Sequence, residues 1–81
     1  MEIRFAKAPS GWTLTDEAMK ELAQRGSEES ADYCCSIFNS DGSLQDKITI
    51  SADGRASAVS KCMDEATLHN CPGGTVKSGP C

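Results

Sequence analysis

Large apolar side chains are scarce in this sequence. Its 81 residues include one Trp, one Tyr and two Phe, and hydrophobic residues make up 38% of the chain. No apolar run approaches the roughly eighteen residues needed to cross a bilayer, which argues against membrane insertion. We expect residues 1–81 to form a single domain, and a core this small rarely contributes more than about 3–5 kcal/mol. Such a chain needs a further source of stability.

Histidine and basic residues are also few. A nucleophilic enzyme needs a base and an orienting group, and a single histidine, His69, gives hydrolase or transferase chemistry little support. Eight Lys and Arg against twelve Asp and Glu leave a net charge of -4, which argues against nucleic acid or an anionic membrane as a partner. The sequence therefore predicts a protein that is not an enzyme, needs no cofactor or metal, and binds a protein or cell-surface target.

Cysteine, by contrast, is abundant. The five cysteines are Cys34, Cys35, Cys62, Cys71 and Cys81. None of them forms the Cys-x-x-Cys spacing of a zinc knuckle or a redox motif. We expect a secreted, extracellular protein in which four cysteines form disulfides and the fifth is either unpaired or joins a second chain in a dimer. The first fifteen residues lack the apolar run of a secretory signal, so an exported form would be the mature chain.

The pattern of apolar residues predicts six elements. The predicted strands cover residues 2–6, 32–38, 44–51 and 75–79. A capping Thr15 and a terminal Gly26 predict a helix over residues 16–25. Apolar residues at helical spacing predict a second helix over residues 56–69. Between the second and third strands, the Asn, Asp and Gly of "NSDGS" are typical of a hairpin loop.

This element order predicts a ferredoxin-like α+β sandwich. In the βαββαβ arrangement two helices cover one face of a four-stranded antiparallel sheet, with the first strand at a central position. Cys35 and Cys62 would then meet between sheet and helix, where a disulfide would join the hairpin to the second helix. Cys34 faces the other way, because neighbouring strand residues alternate. The second disulfide would join Cys71 to Cys81, or Cys34 to either of them.

Two aromatic residues are candidates for a binding surface. Trp12 lies in a connection rich in Pro and Gly, and Phe38 lies on the sheet face opposite the helices. Large aromatic side chains left outside a small core often mark a contact surface. The alternative for Trp12 is that it folds back over the end of the core.

The predicted architecture is similar to that of a known class of secreted proteins. Its element order, with "LHNC" closing the second helix, resembles fungal killer-toxin-like secreted proteins, which carry disulfides on a ferredoxin-like frame. The resemblance implies an effector-like or toxin-like protein that acts by binding a partner.

Two other functions fit parts of the sequence. One is an intracellular thiol or zinc-binding module, since His69 with Cys71 and Cys62 would begin a set of one His and three Cys. The other is a peptide precursor, in which an acidic helical leader precedes the modified tail "CPGGTVKSGPC". Zinc content would identify the first, and mobility of the tail would identify the second.

Overall fold

One antiparallel sheet of five strands carries the fold, and a computed structural model describes it over residues 2–14, 19 and 30–81. In chain order the elements are β1 (Glu2–Ala8), β2 (Gly11–Leu14), β3 (Ala31–Phe38), β4 (Leu44–Ala52), α1 (Arg55–Leu68) and β5 (Gly73–Ser78). The strand order is β2-β1-β5-β3-β4, and each neighbouring pair is antiparallel. The central β5 thus joins the β1–β2 hairpin to the β3–β4 hairpin.

The hairpin predicted in the middle of the sequence is confirmed. β3 and β4 pair over their whole length, with Tyr33 opposite Ile50 and Cys35 opposite Ile48. Asp41 stabilises the turn, because its carboxylate accepts hydrogen bonds from the amide and the hydroxyl of Ser43. The hydrogen bond from the Ser43 hydroxyl is the main reason that the pKa of Asp41 is lowered.

The second predicted helix is confirmed as well, and it covers one face of the sheet. The buried side chains of α1 are Ala58, Val59, Cys62 and Ala66, and Met63 is partly buried. They pack with alternate residues of the strands, which form the rest of the core: Ile3, Phe5, Tyr33, Cys35, Ile37, Ile50, Ala52 and Val76, with Cys71 from the connection to β5. The opposite face of the sheet, away from α1, is called the open face below.

The ferredoxin-like order with two helices is not confirmed. The helix predicted over residues 16–25 lies, apart from Met19, outside the described residues, and α1 is the one helix in the part that the structure describes. The expected break after residue 6 is also wrong, because β1 continues to Ala8 and Gly11–Leu14 returns beside it as a fifth strand. Gly11 permits this return by adopting a φ of 126°, where glycine meets no side-chain clash.

The first strand is an inner strand of the sheet, as predicted, with β2 and β5 as its neighbours, but another strand occupies the middle position. After β4 the chain passes through α1 and enters the sheet on the far side of β3, so β5 lies between β1 and β3. β4 and β5 consequently run parallel to each other, which requires a long crossover such as a helix. β5, rather than β1, is therefore the middle strand.

Side chains of β4 and α1 form hydrogen bonds with backbone groups of the long edge strand β4. The amide of Lys47 donates to Asp46 Oδ1 at 2.8 Å, and Lys61 Nζ donates to the Ser51 carbonyl oxygen at 2.6 Å. Exposed edges with unpaired amides and carbonyls invite pairing with other chains. Asp46 and Lys61 thus limit strand pairing at this edge.

Gly74 is required because the ring of Phe5 lies against β5 at this position. A Cβ at this position would lie 2.6 Å from the Ser36 carbonyl oxygen and 2.7 Å from Phe5 Cζ. We expect Gly74→Ala to lower the free energy of unfolding by about 1–3 kcal/mol, the usual cost of overpacking. Chemical denaturation measures the change. Gly73→Ala is the matched control with a smaller expected loss, since its Cβ would lie 3.1 Å from its nearest neighbour. Equal stability of Gly74→Ala and the parent chain would contradict this packing.

Candidate functional site

A disulfide between Cys35 and Cys62 lies in the centre of the core. It joins β3 to α1 with a Cα–Cα distance of 5.5 Å, and neither cysteine is exposed to solvent. The alternation of β3 directs Cys35 to the covered face, and the helical spacing of α1 brings Cys62 opposite it. The structure thus contains the bond that the sequence favours.

A second disulfide, between Cys34 and Cys81, lies on the open face. Its Cα atoms are 4.7 Å apart, Cys34 is half-buried and Cys81 is exposed. Two hydrogen bonds also hold residues 79–81 against the sheet. The Gly79 amide donates to the Asp32 carbonyl oxygen, and the Cys81 amide donates to Thr49 Oγ1. The two neighbouring cysteines of β3 therefore bind different parts of the chain on opposite faces of the sheet.

Cys71 is the remaining, unpaired cysteine. Its thiol is 2% exposed, and Cys71 Sγ lies 3.7 Å from the His69 carbonyl oxygen, to which it donates. A disulfide from Cys71 to a second chain would require this residue to leave the core. Cys62 is already bonded to Cys35, and residues 2–14, 19 and 30–81 contain no group of three His, Cys, Asp or Glu residues that could hold a metal.

The structure separates the two aromatic candidates for a binding surface. Trp12 lies on β2 and contacts Phe5 edge to face, with ring centroids 5.2 Å apart and planes at 82°. This places Trp12 against the margin of the core, half-buried. Phe38 lies at a register position of the open face, opposite Gly73. Trp12 and Phe38 therefore belong to different faces of the sheet.

A groove of about 640 Å³ crosses the open face beside Phe38. It follows one row of strand partners, in which Thr13 pairs with Ala6, Ala6 with Gly73, and Gly73 with Phe38. Ala6 and Gly73 have little or no side chain, so the two middle strands form a low floor between Thr13 and Phe38. We call this depression the sheet groove.

One side of the sheet groove carries a cation and a hydroxyl group. Arg4 and Thr75 are direct partners on β1 and β5, and both line the groove. Arg4 Nε donates to Glu2 Oε1 at 2.8 Å, and Lys77 Nζ lies 3.5 Å from Glu2 Oε2. The hydrogen bond from Arg4 is the main reason that the pKa of Glu2 is lowered.

Sequence reasoning missed all the residues of this groove except Phe38. Ala6, Gly73, Arg4 and Thr75 carry no motif, and each has ordinary neighbours along the chain. Only their alignment across adjacent strands makes a groove, and that alignment depends on the register of β1 against β5. The signal that could have found them is the pair of small residues on two strands, read together with a known pairing.

No family model, curated protein sequence or solved structure matches this chain. No helix in the described ranges is long and apolar enough to cross a membrane. What the protein does is therefore inferred from its own features, of which the two disulfides and the sheet groove are the most distinctive.

The two disulfides differ in their access to solvent. Thiol–disulfide exchange requires a thiolate to reach a sulfur atom, so we expect mild reduction to open Cys34–Cys81 before Cys35–Cys62. Alkylation at successive times followed by peptide mass mapping should find the label on Cys34 and Cys81 first. In strong denaturant, which serves as the control, this order should disappear. Early labelling of Cys35 and Cys62 in the native protein would contradict the described burial.

The ion pair between Arg4 and Glu2 sets the titration of that carboxyl group. In Arg4→Gln the pKa of Glu2 should rise toward its ordinary value of 4.5, as followed by NMR. Lys77→Gln is the control and should give a smaller rise, because Lys77 is the more distant cation. Since the folded-state pKa is lowered, the stabilisation is present above pH 4.5 and is lost as the pH falls through the folded-state pKa. An unchanged pKa in Arg4→Gln would contradict the pairing.

Proposed function

We propose that this protein is a small secreted, non-catalytic binding protein, effector-like or toxin-like in its mode of action. The observation that carries the proposal is the pair of disulfides, one in the core and one on the open face. The proposed partner is a protein or cell-surface target. Phe38 and the sheet groove form the proposed contact surface.

The disulfides support an oxidising, extracellular location. They close loops with sequence separations of 47 and 27 residues. In the chain-entropy model, a disulfide that closes a loop of either length stabilises the folded state by about 4 kcal/mol, because it constrains the unfolded chain. This is comparable with all that a core of this size contributes, about 3–5 kcal/mol. In a reducing compartment the protein would lose that contribution, so extracellular action is the setting in which it remains folded.

The open face supports a role in binding. The described helix covers the other face, whereas the open face presents the half-buried ring of Phe38 and a groove of a size usual for ligand sites. The disulfide to Cys81 holds residues 79–81 against this face and thereby limits the conformations of that segment. A rigid surface loses less conformational entropy on binding, which favours affinity. Trp12 supports the margin of the core and is not part of this contact surface.

Intact mass and a non-reducing peptide map test the proposal. The purified native protein should be four hydrogens lighter than the reduced chain, with cross-linked peptides joining Cys34 to Cys81 and Cys35 to Cys62. One alkylatable thiol, Cys71, should appear after denaturation, and the protein should contain no stoichiometric zinc. An unchanged mass on reduction, or one equivalent of zinc with free thiols, would refute the secreted protein and favour the intracellular module.

A further inference from the structure

We infer that the Cys34–Cys81 disulfide is a thiol-exchange site, through which Cys81 becomes covalently joined to a cysteine thiol of the partner. The inference deepens the proposed function, on which it rests, because the disulfide must be present in the native protein before it can exchange. Three features carry it. They are the unequal exposure of the two cysteines, a lysine beside Cys34, and a second disulfide that holds the fold together.

The two cysteines of this disulfide differ in their exposure to solvent. Cys81 is exposed, whereas Cys34 is half-buried on the inner strand β3, between Lys77 of β5 and Thr49 of β4. In thiol–disulfide exchange an incoming thiolate must reach one of the two sulfur atoms, so access decides which sulfur is attacked. The attacked residue is therefore Cys81, and Cys34 is the leaving group.

Lys77 lies where it can stabilise the departing sulfur. One row of strand partners crosses the open face in the order Glu2, Lys77, Cys34 and Thr49. Directly paired residues have Cβ atoms about 5 Å apart, which brings the Lys77 side chain beside Cys34. Lys77 Nζ also lies 3.5 Å from Glu2 Oε2, but the lysine side chain is 59% exposed and has space to approach the sulfur. A nearby cation stabilises a thiolate, and a more stable thiolate leaves faster.

The reaction exchanges one sulfur–sulfur bond for another. The partner's thiol loses its proton to solvent, and its sulfur forms a bond with Cys81 Sγ while the bond between Cys81 Sγ and Cys34 Sγ breaks. The electron pair of the broken bond stays on Cys34, which leaves as a thiolate and then takes up a proton. The partner's sulfur is oxidised and Cys34 is reduced, so the step requires no other oxidant or reductant.

The core is not altered by this exchange. Hydrogen bonds from the Gly79 and Cys81 amides also hold residues 79–81, and these bonds can open without breaking a covalent bond. Cys81 can therefore move outward with the partner attached. The Cys35–Cys62 disulfide is not exposed to solvent and continues to hold α1 on the sheet.

Reaction of the native chain with the neutral thiol 2-mercaptoethanol tests the inference. N-ethylmaleimide stops the reaction at successive times, and the Cys71 thiol stays unlabelled in the folded protein because it is buried. Peptide mass mapping should find 2-mercaptoethanol on Cys81 and N-ethylmaleimide on Cys34 about fivefold more often than the reverse, with Cys35–Cys62 intact. The neutral peptide N-acetyl-glycyl-cysteinyl-glycinamide, which stands for a cysteine of the partner, should form the same adduct on Cys81.

Matched variants test the part played by Lys77. Lys77→Gln should slow formation of the Cys81 adduct by about two- to fivefold, as expected for an exposed charge pair. This difference should disappear at about 1 M salt, where the Debye length is about 3 Å, whereas a purely structural effect of the substitution would persist. Lys7→Gln is the control, because it removes the same charge from an exposed position on the other face of the sheet, and it should leave the rate unchanged.

Three outcomes would overturn the inference. They are adducts that form on Cys34 as readily as on Cys81, the absence of an adduct with the cysteine peptide, and equal rates for Lys77→Gln and the parent chain at low salt. None of these bears on the disulfide map of the native protein, so the proposed secreted binding protein can stand when the exchange fails. Conversely, free thiols at Cys34 and Cys81 in the native protein would refute the proposed function before any thiol is added.

Discussion

The covalent bond between Cys35 and Cys62 is the constraint on which the structure depends. It lies where the one described helix meets the sheet, and the side chains around it are mostly Ala, Val and Ile. Small side chains bury little area each, so a helix held by Ala58, Val59 and Ala66 alone would be weakly attached. The disulfide fixes α1 in position and lets a core with few aromatic residues remain closed. The proposed contact surface lies on the open face, on the other side of the sheet from this bond.

The dipeptide Cys34-Cys35 shows how one short stretch can brace both faces of a sheet. Successive residues of a strand point to opposite sides, so one sulfur enters the core and the other reaches residue 81. The same alternation along β1 buries Ile3 and Phe5 and leaves Arg4 and Ala6 outside. The groove thus lies on the outward side of the same strands whose alternate residues build the core.

Local patterns predicted every described element except β2, but they did not predict how the strands assemble. The β3–β4 hairpin and α1 follow from alternation, turn residues and helical spacing, which act between close neighbours in sequence. The pairing of β5 with both β1 and β3 depends on contacts between residues about seventy and forty positions apart, as in Ile3 with Val76 and Cys35 with Val76. No local signal encodes such contacts, and the Pro and Gly around Trp12 are as typical of a loop as of the hairpin return that Gly11 makes. Of the site, Phe38 could be predicted from its position on the strand, but the floor formed by Ala6 and Gly73 could not.

The position of β5 also has a consequence for synthesis of the chain. The two hairpins share no strand-to-strand hydrogen bonds with each other, and both pair with residues 73–78. While those residues are still inside the ribosome, the emerged part of the chain is two separate ribbons, and two-stranded ribbons are marginal in water. The five-stranded sheet therefore cannot form until residues 73–78 have emerged and paired with both hairpins.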